Sequence, residues 1–157
     1  MKRGKVLIII NQNLEREKDM NTNEIMTGCH VLVRDGKDFV AGEVIRIDGQ
    51  EQKVVVERTD GKVIEEDITE VCGVPITENL LKENDFIYRE SENEKVGYVY
   101  HYFTCHTLVT ITEQQREIKI LIQKNNCAEH IVQKEVHFMH EIEVLCKLCG
   151  VDIYFTV

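Results

Sequence analysis

Three short-spaced pairs of metal-ligating residue types lie near the C-terminal end: Cys127-x-x-His130, His137-x-x-His140 and Cys146-x-x-Cys149. Thiolate sulfur and imidazole nitrogen in such pairs are what a tetrahedral zinc site uses. If the chain holds a metal, Cys127, His130, Cys146 and Cys149 are its ligands. Against this, Cys146 and Cys149 fall inside one helical pattern, beside its apolar stripe, whereas a zinc knuckle presents Cys-x-x-Cys on a turn. The expectation is no metal and no cofactor, with core cysteines and a solvated histidine pair.

Other reactive-looking residues are dispersed. Cys105-His106 invites a thiol-nucleophile reading, but neighbours on a strand point to opposite faces and cannot form a dyad. His140-Glu141 begins like His-Glu-x-x-His, yet position 144 is Val. Without the second histidine the helix cannot ligate zinc in that way. Glu65-Glu66-Asp67 lacks the glycine-centred twelve-residue spacing of a calcium loop. No Gly-rich loop precedes a helix to cradle a phosphate. No catalytic residue is assigned, and the chain is read as a non-enzyme. The candidate binding residues are Tyr98, Tyr100 and Tyr102, which alternate along one strand and so share a face. Amphipathic rings of this kind suit interfaces. The competing reading has the C-terminal helix covering them.

The elements that must position these groups follow from periodicity. Over residues 25–73 the period is two. Strands are predicted at His30–Arg34, Phe39–Ile47, Lys53–Arg58 and Lys62–Glu65. Asp35-Gly36-Lys37, Asp48-Gly49 and Asp60-Gly61 supply the turns. So short a meander buries a face by curling, as a small SH3-like barrel does. Pro75 then fixes an extended approach, Thr77 is a candidate N-cap, and Asn84 a candidate left-handed C-terminal residue. This predicts a helix of about eight residues. Further strands are predicted at Phe86–Arg89, Val96–Phe103, Thr107–Thr112, Glu117–Gln123 and Cys127–Glu135. Phe138, Ile142, Leu145 and Cys149, with Leu148, form a helical stripe over Val136–Cys149 that Gly150 ends. Asp152–Val157 is predicted as a last strand.

Composition narrows the function classes. The chain has 157 residues, 43% of them apolar, and a formal net charge of −9. Residues 25–73 carry 6 basic and 11 acidic groups, and residues 74–157 carry 8 and 13. A nucleic-acid binder needs a basic surface to release counterions, so that partner class is disfavoured. Val6–Ile10 is the longest apolar run, far below the ~20 residues of a membrane span. The six cysteines are expected as reduced thiols in a soluble cytoplasmic protein.

Two resemblances add to this reading. Gly28-Cys29-His30-Val31-Leu32-Val33, Gly36-Lys37 and Gly42-Glu43-Val44-Ile45-Arg46-Ile47-Asp48 resemble a KOW-type motif. That implies adjacent strands of a small barrel and raises nucleic-acid binding as an alternative. Pro75-Ile76-Thr77-Glu78-Asn79-Leu80-Leu81, Phe86, His140-Glu141-Ile142 and Leu148-Cys149-Gly150 resemble small proteins of gut Bacteroides-type bacteria and their phages or mobile elements, of unassigned function. This chain departs from their pattern with Asp85 in place of glycine and Glu143-Val144 in place of Gln-Asn. The resemblance implies an order of elements and a genomic setting, but no reaction.

The expected architecture is α+β: a small N-terminal SH3-like β-barrel over residues 21–73, then a two-layer antiparallel sheet packed on a C-terminal helix over residues 74–157. Residues 1–20 read as an extension, either non-native sequence before a start at Met20 or an edge strand at Lys5–Ile10. The expected function is a non-enzymatic binding or structural module of phage or mobile-element origin, with a protein partner and no membrane. The rivals are a nucleic-acid-binding accessory and a zinc- or thiol-dependent enzyme. The oligomeric state is left open.

Overall fold

The computed structural model describes residues 24–91, 95–124 and 130–157, with the backbone alone for His130. The readings made for residues 1–20 and for Cys127 lie outside the described residues. The chain divides into two compact units between Val74 and Pro75.

The first unit is a five-stranded antiparallel sheet in the order β4-β3-β2-β1-β5. Its strands are β1 (His30–Asp35), β2 (Asp38–Asp48), β3 (Lys53–Arg58), β4 (Val63–Asp67) and β5 (Val71–Gly73). Turn chemistry sets the register. Gly36, at φ +66°, starts the two-residue link between Asp35 and Asp38, which pair. The Asp48 carboxylate accepts the Gln50 and Glu51 N–H groups at 2.9 and 3.0 Å, closing the next loop. Val31, Val33, Val44, Val54, Val56, Ile68 and Val71 form the core.

The two-residue period expected for this unit is broken in β2 by a bulge between Val44 and Arg46. It leaves Ile45 exposed and turns Ile47 against the core. The short strand β5, absent from the sequence reading, follows one 3-10 turn at Ile68–Glu70 and pairs with β1. Strands β4 and β5 stand at opposite ends of the strand order.

The second unit is also a five-stranded antiparallel sheet, here a simple meander in the order β10-β9-β8-β7-β6. It comprises β6 (Ile87–Arg89), β7 (Val96–Phe103), β8 (Thr107–Gln114), β9 (Glu117–Lys124) and β10 (His130–Val136), flanked by helices α1 (Glu78–Glu83) and α2 (Met139–Leu148). Pairing places Tyr100 opposite Ile111, Ile111 opposite Ile120, and Val109 opposite Ile122. All five of these side chains are buried. They therefore form one covered face. The opposite face carries Ile87, Val99, His101, Phe103 and Leu121, of which Ile87 and Phe103 are about half exposed.

Both helices end in the same motif. After α1, the Asp85 N–H bonds Lys82 O and the Phe86 N–H bonds Leu81 O. After α2, the Gly150 N–H bonds Lys147 O and the Val151 N–H bonds Cys146 O. This is the Schellman pattern, which needs a left-handed residue. Gly150 supplies it at φ +68° and Asp85 at φ +62°. The left-handed position is thus Asp85, not Asn84. Asp tolerates this region better than most non-glycine residues.

The expected α+β class is corrected by this architecture. Strands take 53% of the described residues and helices 15%, with one helix of seven or more residues, so the protein is mainly β. Two segments account for the difference. The helix predicted over Val136–Cys149 loses its first turn, because Val136 still pairs with Ile118 in the β9–β10 ladder. Asp152–Val157 forms no strand. Instead the side chain of Asn84 satisfies the Thr156 backbone, accepting its N–H at 2.7 Å and donating to its carbonyl at 2.9 Å. One buried amide does locally what a ladder would have done.

Candidate functional site

The covered face of the second sheet holds a tyrosine cluster. Tyr98, Tyr100 and Tyr102 alternate on β7, and Tyr88 on β6 pairs directly with Tyr100. Tyr100 is fully buried, Tyr98 and Tyr102 are half-buried, and Tyr88 is 52% exposed. Tyr88 and Tyr98 each meet Tyr100 edge-on, with centroids at 5.6 and 5.5 Å. That is the favoured geometry for aromatic quadrupoles. Tyr102 turns elsewhere and packs on Phe86 at 5.3 Å, which in turn stacks on Phe155. Tyr100 is therefore the floor of the cluster, Tyr88 and Tyr98 its accessible rim, and Tyr102 a packing residue. The sequence reading missed Tyr88, because the β6–β7 register that brings it opposite Tyr100 leaves no local signal.

Helix α1 contributes the polar half. Thr77 Oγ1 accepts the Leu80 N–H at 3.2 Å and fixes the helix start. One turn of helix then aligns Glu78 and Lys82, whose charged atoms are 3.8 Å apart. The Tyr100 hydroxyl donates to Glu78 Oε2 at 2.8 Å. The Lys82 ammonium stands 5.9 Å from the Tyr100 ring centroid. Tyr100 is thus contacted by α1. On the other side, Gly97 sits in a bulge between Val96 and Tyr98. A Cβ there would collide with the Glu113 carboxylate, so the glycine lets that carboxylate approach. Burial first, then the charges of Glu113 and Glu78, push the Tyr98 hydroxyl up to about 12. Burial and the bond to Glu78 push Tyr100 up as well.

The cysteine and histidine pairs are held differently. Cys146 is buried on α2, and Cys149, one turn later, is half-buried. Burial foremost, then Cys149 and Glu143, pushes the Cys146 thiol up to about 12. Burial also raises Cys149. A protonated thiol is neither nucleophile nor good ligand. Among the described residues, no three of His, Cys, Asp and Glu converge to hold a metal ion. Cys127 and the side chain of His130 lie outside the described residues. Cys105 is exposed in the β7–β8 loop region.

The predicted stripe on α2 is rotated. The inward face is Met139, His140, Ile142, Glu143 and Cys146, while Leu148 is 70% exposed. His137 is exposed as expected, but His140 is buried and stacks on Phe138 at 5.7 Å. Two ionisable residues on the inward face hid the true period. Glu141 has a local role: its carboxylate accepts the His137 and Phe138 N–H groups at 2.6 and 3.0 Å, capping α2.

Comparison with protein families, characterised proteins and solved structures finds no match to this chain. No helix among the described residues is long and apolar enough to cross a membrane.

Proposed function

We propose that the protein is a non-enzymatic binding module that contacts a protein partner through Tyr88 and Tyr98, with Tyr100 as their support. The observation that carries this is the cluster's division of labour. The central ring is locked by Glu78 and buried, while two rings flanking it stay accessible on rigid strands. Preorganised aromatic anchors lose little entropy on binding and dominate interface energetics. The phage or mobile-element setting rests on the resemblance carried by Pro75–Leu81, Phe86, His140–Ile142 and Leu148–Gly150.

Ion pairing weighs against the nucleic-acid alternative. Three of the six basic side chains of residues 25–73 are engaged by carboxylates: Arg46 by Glu65 at 3.1 Å, Lys53 by Glu51 and Glu65 at 3.5 Å each, and Arg58 by Asp35 and Asp60. Each such pair weakens the positive potential that would displace phosphate counterions. The test is co-purification from the native host using the wild-type chain and matched Tyr88→Ala and Tyr98→Ala variants of unchanged circular dichroism. The partner should be depleted from both variants. Equal recovery of the same partner on all three baits contradicts the proposal, and so does recovery dominated by nuclease-sensitive material.

A further inference from the structure

The polar groups around the tyrosines are carboxylates: Glu78 bonded to Tyr100, and Glu113 acting on Tyr98 across the Gly97 bulge. A ring face flanked by negative charge attracts an organic cation. The protein already places one there. Lys82 stands 5.9 Å from the centroid of the Tyr100 ring, hydrogen-bonded to the Tyr100 hydroxyl and 3.8 Å from Glu78 Oε2. The Lys82 side chain is 56% exposed, yet Tyr100 below it is fully buried. An ammonium on a flexible, largely exposed stem thus caps a rigid aromatic floor.

We infer that this cluster is a receptor for a lysine ammonium of the protein partner, with Lys82 occupying the position in the free chain. The inference rests on the binding surface proposed above and names the chemistry it accepts. An incoming ammonium displaces Lys82 from the Tyr100 hydroxyl, takes Tyr88 and Tyr98 as walls, and is balanced by Glu78 and Glu113. The overall acidity of the chain, −9, steers such a partner toward it.

The experiment is a nuclear magnetic resonance titration of the full chain with acetyl-Gly-Lys-Gly-amide, and separately with the same peptide acetylated on the lysine Nζ. The charged peptide should shift the ring resonances of Tyr88, Tyr98 and Tyr100, and the neutral one should not. Lys82→Gln should tighten binding of the charged peptide about two- to fivefold, the factor a cation–π contact at an exposed site carries. Tyr88→Leu, a change at an exposed ring, should weaken it by a similar factor. Equal shifts from both peptides, or unchanged affinity in Lys82→Gln and Tyr88→Leu, overturn the inference. Loss of the partner by Tyr88→Ala without any ammonium-dependent shift removes this inference alone. Ammonium-dependent shifts with undiminished partner recovery remove the partner reading and leave the cation site.

Discussion

The thiol of Cys146 and the phenol of Tyr98 show how burial decides chemistry that residue type leaves open. Cys-x-x-Cys spacing suggests a reactive or ligating pair, but spacing carries no information about solvent. On α2 it places Cys146 inward, where the thiolate is disfavoured. Cys105, exposed beyond β7, should react with a thiol-specific disulfide reagent at pH 8 at least tenfold faster than Cys146 in the folded chain. Single Cys→Ser variants followed by mass spectrometry would separate the two. Tyr98 gives a pH prediction. Its folded value, about 12, lies above the ordinary 10, so the folded state holds the proton more tightly. The resulting stabilisation is complete below pH 10 and is lost as pH rises from 10 through 12. Urea unfolding across that window should show a steeper loss for the wild type than for Tyr98→Phe.

Elements were more legible than faces. Asx-Gly turns announced three hairpins of the first unit, and the observed β1–β4 follow them within a few residues. Thr77 announced α1, and its hydroxyl does accept the Leu80 N–H. Failures arose where tertiary context overrode a local period. The bulge at Val44–Arg46 changed which side chains of β2 face the core. His140 and Glu143 on the inward side of α2 disguised its stripe. An amide from Asn84 replaced the strand expected at Asp152–Val157. Two substitutions test these devices. Asp85→Gly relieves a left-handed aspartate at a helix end and should stabilise by roughly 0.5–1 kcal/mol. Gly42→Ala puts a Cβ 2.5 Å from Val56 Cγ1 and 2.9 Å from the Glu57 carbonyl. Forced contact with backbone should destabilise by about 1–3 kcal/mol, read from the denaturation midpoint.

For the molecule as a whole, both units solve the same problem: a five-stranded antiparallel sheet must cover one face. The class followed from that solution, and the α+β expectation gave too much weight to one amphipathic stretch near the C-terminus. In the second unit the covered face runs into the tyrosine cluster at the β6–β7 edge, where Tyr88 is exposed. Tyr98, Tyr100 and Tyr102 were visible in the sequence as one alternating face. Their separation into floor, wall and packing residue was not, because it depends on which neighbour each ring meets across strands and from α1. The opposite face, with Phe103 and Ile87 about half exposed, is the natural competitor as a contact surface. Hydroxyl-radical footprinting of the chain with and without its co-purified partner compares the two faces directly. Protection of Tyr88 and Tyr98 with unchanged labelling of Phe103 is the predicted result; protection of Phe103 and Ile87 with Tyr88 still fully labelled would contradict it.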